Sequence, residues 1–196
     1  MTDNGQIINQ MLAENNGFIT SEQVTDAGIP RRCLSEMTDA GAVVRVDRGV
    51  YALPEVWEDE LFILQYRFSK GIYSHETALY LHGMTDRTPH RYNMTFPHGY
   101  NTGNAKKQNI TAKVVLPKFY GLGITDIVSP AGHTLKVYDI ERTLCDIVKN
   151  KSDIQNINQA MKAYTASKNK DISKLIGYAE QLRVKARILT YMEVLL

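Results

Sequence analysis

Two cysteines, Cys33 and Cys145, are all that the 196-residue chain carries. They lie far apart, each within an apolar-periodic helical stretch, so they read as small buried apolar residues rather than a disulfide or a metal pair. The chain lacks an N-terminal apolar segment of the signal-peptide kind, and no apolar run approaches the length of a bilayer crossing. A secreted or membrane-spanning protein is thereby excluded, and the expected compartment is the cytoplasm. Internal repeats and low-complexity tracts are missing too. Lysine is absent from residues 1–54, where four arginines stand against seven Asp or Glu, a net charge of −3. The whole chain is +2, so residues 55–196 hold +5, with 19 Lys or Arg against 14 Asp or Glu.

What is present is clearest between Gly17 and Pro54, GFITSEQVTDAGIPRRCLSEMTDAGAVVRVDRGVYALP. Ser21 is placed to cap a helix over Glu22 to Ala27, its hydroxyl accepting from free backbone N–H groups. Gly28 ends that helix, because it tolerates the left-handed backbone of a C-terminal cap. Pro30 opens a second helix, where a missing N–H costs nothing. Leu34, Met37 and Ala40 recur at a spacing of three and give that helix a narrow face to bury. Arg31, Arg32, Ser35, Glu36 and Asp39 fall outside this face, and Gly41 stops the helix. Val43–Val46 and Val50–Leu53 then pair across Asp47-Arg48-Gly49. The whole is a winged helix-turn-helix.

In such a module the second helix enters the major groove with its N-terminal residues toward base edges. Arg31 and Arg32, with Ser35 one turn on, occupy that position. The planar fork of arginine can donate two hydrogen bonds to guanine O6 and N7. Arg48, at the hairpin tip, and Arg45 on the ribbon would meet a phosphate or the minor groove. The competing reading is a protein-interaction platform, and the acidic balance of residues 1–54 favours it. The four arginines, however, all fall on the second helix and the ribbon, which is the clustering that DNA binding requires.

After Pro54 the pattern changes. Glu55–Phe68 carries helical spacing in Leu61, Leu64 and Phe68. Ser74 is placed to cap a helix reaching His82 and closed by Gly83, with residues 78, 79 and 81 inward. Period-two and β-branched runs follow at Tyr92–Phe96, Ile110–Leu116, Ile124–Ser129 and Thr134–Tyr138. A long loop, His98–Asn109, separates the first two. Asp139 is an N-cap for Ile140–Lys149, and helices over Ile154–Thr165, Ile172–Leu182 and Val184–Leu195 complete the chain. Helices, then strands, then helices give an α+β class. The expected organisation is a winged helix-turn-helix over 1–54 and an α+β domain over 55–196, with a small sheet flanked by helices and a C-terminal helical bundle.

Several clusters invite chemistry. Ser74-His75-Glu76 places three catalytic residue types together, but catalytic groups are usually gathered from distant segments, and a helix cap with two exposed polar residues explains them. His75, His82, His90 and His98 recur at spacings too wide for ligands on one helix, with Pro89 and Pro97 between them, so no metal is expected. Asp139, Glu141, Arg142 and Asp146 could together hold Mg²⁺; each also has an ordinary role, as cap, first-turn acid, and i, i+4 pair. Lys106 and Lys107, set among Asn101, Asn104, Gln108, His98 and Tyr100, suit sequence-independent phosphate contacts. The terminal helices and their connections add Lys149, Lys151, Lys162, Lys168, Lys170, Lys174, Arg183, Lys185 and Arg187. A nuclease guided by a winged helix is the alternative class, yet the strands offer only Lys113, Asp126 and Lys136, without a close acidic pair.

Three passages together resemble the AbiEi-type antitoxins, partners in type IV toxin–antitoxin operons that confer resistance to phage by abortive infection. They are ITSEQVTDAGIPRRCLSEMTDAGAVVRVDRGVYAL, then YSHETALYLHGMTDRTP at 73–89, then ITDIVSPAGHTLKVYDIERTLCDIV at 124–148. The resemblance implies an N-terminal domain that binds inverted repeats upstream of its own operon and represses it. It implies also that the C-terminal domain opposes a nucleotidyltransferase-like toxin without a stable complex. No enzymatic activity and no cofactor are implied. The positions that carry over for DNA contact are Arg31, Arg32, Ser35, Arg45 and Arg48; the operator would accept a dimer or cooperating monomers.

Overall fold

The computed structural model describes residues 3–150 and 152–195. It is an α+β protein whose chain divides into two compact units, Met1–Arg67 with Val128–Leu135, and Phe68–Ile127 with Lys136–Leu196.

The first unit opens with helix α1 (Asp3–Glu14) and strand β1 (Phe18–Thr20), which precede the helix, turn and helix expected from the sequence. Ile8 and Leu12, four apart on α1, are buried with Ile19, Val24, Ile29, Leu34 and Val43 in one apolar cluster. Helix α2 (Ser21–Asp26) is capped by Thr20, not Ser21. Thr20 has the extended backbone of an N-cap and its hydroxyl accepts from Gln23 N, while Gln23 Oε1 accepts from Thr20 N, a complete capping box. Helix α3 spans Arg32–Asp39, so Pro30 lies before it and Arg31 is its N-cap. Gly28 and Gly41 both carry positive φ, 73° and 72°, as the two helix stops require.

Strand β2 (Val44–Asp47) and strand β3 (Val50–Ala52) form the wing, with a bulge between Arg45 and Asp47. Strand β1 pairs antiparallel with β3, so the ribbon is a three-stranded sheet of order β1-β3-β2. Helix α4 covers Glu60–Arg67, shorter than the expected Glu55–Phe68, because Asp59 is the residue that caps it, accepting from Phe62 N at 3.1 Å. The same side chain takes Ser129 Oγ at 2.5 Å and His133 Nδ1 at 2.8 Å. Burial alone would raise the Asp59 pKa, but these hydrogen bonds hold it below the usual carboxylate range.

The second unit runs β4 (Ile72–Tyr73), α5 (His75–Leu81), β5 (Tyr92–Pro97), α6 (Gly103–Lys107), β6 (Ile110–Val115), α7 (Pro117–Tyr120), β7 (Ile124–Val128) and β8 (Thr134–Tyr138). Helices α8 (Ile140–Lys149), α9 (Ile154–Ala166), α10 (Ile172–Gln181) and α11 (Lys185–Leu195) follow. The sheet has order β6-β5-β4-β8-β7, with β5 parallel to β6, β4 parallel to β8 and β4 antiparallel to β5. The stretch expected as one long loop thus contains the short helix α6.

Helix α8 organises the rest of this unit. Every residue from Glu141 to Val148 is buried. Leu144, Cys145, Ile147 and Val148 pack into the apolar cluster shared with α9, α10 and α11. Its buried polar residues are all partnered, as burial demands. Asp139 Oδ1 accepts from Arg142 N at 2.8 Å, and Thr143 Oγ1 donates to Tyr138 O. Arg142 Nε donates to Asp146 Oδ2 at 3.0 Å, and its Nη1 donates to the carbonyls of Phe119 and Leu122. Its guanidinium lies 4.3 Å over the Tyr138 ring. Gly123, with φ 79°, makes this possible: a Cβ there would stand 2.8 Å from Arg142 Cβ. Both cysteines are free; burial pushes the Cys145 thiol up to about 12, so it behaves as an apolar residue.

Candidate nucleic-acid interface

The local sequence of α3 dictates what it presents. Leu34 is fully buried and Cys33 and Met37 are half-buried against the same cluster, which turns the opposite face outward. Arg31, Arg32, Ser35, Glu36 and Asp39 are all exposed on it. Arg31 Nε donates to Thr25 Oγ1 at 2.8 Å, a link from the N-cap of α3 back to α2. Arg32 Nε stands 3.4 Å from Glu36 Oε1, in an exposed i, i+4 pair.

On the wing, Arg45 and Arg48 are exposed. Arg45 Nε donates to Asp47 O at 3.2 Å, and Arg48 N donates to Asp47 Oδ1 at 2.6 Å. Asp47 is therefore the anchor of the wing tip, and Arg67 of α4 forms an ion pair with it. Burial opposes ionisation of Asp47, but the hydrogen bonds from Arg67 and Arg48, with the charges of Arg67 and Arg45, keep its pKa low. Sequence reasoning missed the role of Arg67, since nothing local links it to a turn twenty residues earlier. The five arginine and serine positions singled out from the sequence all lie in the first unit, on α3 and its N-cap or on the wing. Lys106 and Lys107 lie in the second unit, exposed in the last turn of α6.

The other sequence-derived clusters resolve differently. Ser74 precedes α5 but makes no capping hydrogen bond; its Oγ is instead 2.9 Å from His75 Nδ1 and accepts from Thr95 Oγ1. Both residues are buried, so the expectation of an exposed His75 is corrected. His82 Nε2 meets Tyr138 O at 2.8 Å. Among the described residues no three His, Cys, Asp or Glu side chains are grouped to hold a metal ion. Asp126 and Lys136 form an exposed ion pair across β7 and β8 at 3.1 Å. Glu141, expected merely to favour the helix dipole, is buried and accepts from Tyr164 Oη, with Lys174 Nζ 3.4 Å away. Of the basic residues on the terminal helices and their connections, Lys151 lies outside the described residues. No described helix is long and apolar enough to cross a membrane.

Comparison with known proteins adds two findings. Residues 6–54 match the family described as transcriptional regulator, AbiEi antitoxin, a span that takes in most of α1, the helix-turn-helix and the wing. Over 98% of its length the chain superposes on 82% of the RV2827C protein from Mycobacterium tuberculosis, whose crystal structure gives a TM-score of 0.54 at 14% identity. That likeness concerns the fold. No curated protein matches the chain. Over residues 6–54, the N-terminal module is therefore similar to that of the AbiEi antitoxin transcriptional regulators.

Proposed function

We propose that the protein is a DNA-binding antitoxin of the type IV class that represses its own operon. In this reading α3 enters the major groove of an inverted-repeat operator. Arg31 and Arg32 read base edges, Ser35 supports them one turn on, and Arg45 and Arg48 hold the flanking backbone. The supporting observation is the exposed, arginine-bearing start of α3 in a module that matches this family of regulators. Lys106 and Lys107 extend the contact as phosphate ligands. The region after the module, residues 55–196, supplies the antitoxin activity against a nucleotidyltransferase-like toxin, with no stable complex and no catalysis of its own. The setting is the cytoplasm of a cell defended by abortive infection.

The test is an anisotropy titration with duplex DNA from immediately upstream of the gene, set against a scrambled duplex. Wild type should prefer the upstream DNA, and Arg31→Ala and Arg32→Ala should each weaken that binding by about 1–3 kcal/mol. Equal, weak binding to both duplexes would make the module a protein-interaction platform.

A further inference from the structure

Inside the second unit, the start of α5, strands β5 and β6, and the C-terminal end of α8 line a cavity of about 210 Å³. Part of its lining is buried: His75, Thr95, Arg142 and Asp146 are each less than a tenth exposed. Lys113 of β6 is half-buried and Lys149, at the end of α8, is exposed. Asp146 provides the one carboxylate in the described lining, and Arg142 Nε already engages it. Neither Lys113 nor Lys149 forms an ion pair among the described residues. Lys149 Nζ faces the Phe119 ring, 5.6 Å from its centre, and its charge, like that of Lys113, also acts on Asp146. Three cations against one carboxylate leave this small cavity with an excess of two positive charges.

The inner side of the cavity is held in an unusual conformation. His75 has φ 52°, a left-handed backbone that costs a non-glycine residue on the order of 1 kcal/mol and persists only where surrounding contacts enforce it. The contacts are a relay. Thr95 Oγ1 donates to Ser74 Oγ at 2.9 Å, and Ser74 Oγ lies 2.9 Å from His75 Nδ1. His75 Nε2 lies 2.6 Å from Asn150 Nδ2, which also donates to Asp146 O at 2.9 Å. That second bond marks Nδ2 as the amide donor, so His75 Nε2 accepts and Nδ1–H donates to Ser74. The imidazole is therefore neutral, and it packs beside the cations without adding a charge of its own.

We propose that this cavity is a phosphate-binding pocket, with Lys113 and Lys149 as its anion ligands, and that it takes the phosphate of a nucleotide. A phosphomonoester carries about −1.5 to −2 charges at neutral pH and three acceptor oxygens, which matches three cations that share the single carboxylate of Asp146 better than a second carboxylate would. The volume equals that of about seven liquid waters, enough for a phosphate with an attached sugar and far too small for a duplex. The nucleotide can be free or sit at the end of a strand; both present the same chemistry. The site is separate from Lys106 and Lys107 and does not depend on operator binding.

The experiment is calorimetric titration of the full chain with inorganic phosphate, with AMP, and with a short oligonucleotide bearing either a 5′-phosphate or a 5′-hydroxyl. Saturable binding at one site per chain is expected for at least one phosphate probe, with the 5′-hydroxyl strand bound more weakly than its phosphorylated form. Lys113→Met with Lys149→Met should weaken it about tenfold or more, as removal of the two charge-assisted donors requires. Lys149→Glu, at an exposed position, should weaken it at least as much. Both variants should keep the wild-type far-ultraviolet circular-dichroism spectrum, which separates loss of the phosphate ligands from loss of the fold. Binding of AMP alone identifies a free nucleotide, and tighter binding of the phosphorylated strand identifies a strand end. Absence of saturable binding by every phosphate probe, or equal binding by the double variant, would overturn the proposal.

Discussion

A guanidinium that reads a base needs a free edge, and the two arginines at the start of α3 keep one in different ways. Arg32 is tied only to Glu36, in a pair whose side chains are 83% and 65% exposed, which is weak enough to give way to a better acceptor. Arg31 keeps its terminal nitrogens while Nε rests on Thr25, so under the proposed function its fork would be oriented before DNA arrives. Charge at a single residue also leaves a signature in stability. Burial first, then the Lys113 and Arg142 charges, lower the His75 pKa to about 3. The unfolded chain takes up a proton near pH 6.5 that the folded chain refuses. The folded-state advantage is thus complete above that pH and is lost as pH falls from about 6.5 toward 3. Below pH 6, urea-unfolding free energy should decline with a contribution from His75 of about 1.4 kcal/mol per pH unit. His75→Asn, which tolerates the left-handed backbone, should remove that part of the slope. Parallel pH curves for the two proteins would show that His75 is not the group responsible.

Among the elements, α2 depends closely on its ends. At six residues it is far below the length at which a helix is stable alone, so capping and packing must hold it. Thr20 and Gln23 supply both hydrogen bonds of the box, whereas Ser21 supplies none of them. Thr20→Ala should therefore lower unfolding stability by about 1 kcal/mol, and Ser21→Ala should fall within about 0.5 kcal/mol of wild type. Chemical denaturation of the two variants distinguishes them, and the reverse ranking would restore Ser21 as the cap. The same reasoning accounts for the shifted cap of α2 and for α5, where Ser74 holds the N-cap position but makes no capping hydrogen bond. Residue type alone points to a capping hydroxyl at Ser21 and at Ser74. At α2 the hydroxyl with the right backbone and a free N–H in reach belongs to Thr20, and at α5 the Ser74 hydroxyl is engaged by Thr95 and His75.

For the molecule as a whole, charge is divided unevenly. The first unit holds five arginines and no lysine against eleven Asp or Glu, a net −6, and the second unit holds the balance, +8. Under the proposed function, a module with that balance would have to rely on a few exposed arginines, because its overall field repels a duplex. Phosphate contacts from the basic unit would offset this. Replacing Lys106 and Lys107 with Gln should reduce affinity equally for upstream and scrambled DNA. It should also lower the salt slope, log K against log salt, by about 0.9 for each phosphate no longer neutralised. An unchanged slope would remove these two lysines from the interface.

The helix-turn-helix, the wing, the strand runs and helices α5 and α8 to α11 were legible because each is specified locally, by turn glycines, caps and hydrophobic period. Helices α6 and α7, of five and four residues, are too short to show a period. So were Asp139 as a cap and Arg142 with Asp146 as an i, i+4 pair, since both relations lie within one turn of helix. Helix α1 had a local signal as well, in Ile7, Ile8, Met11 and Leu12, one face of a helix at i, i+3 and i+4. The sequence by itself therefore determined the local elements and the exposed arginines of α3. Tertiary structure alone decided the rest, because the groups concerned are distant in the chain. Asp59 reaches Ser129 and His133, Thr95 reaches Ser74, and Asn150 reaches His75 only once sheet and helices have packed. Burial then made those polar groups find partners, and it left Lys113 and Lys149 beside one cavity that no spacing in the sequence announces.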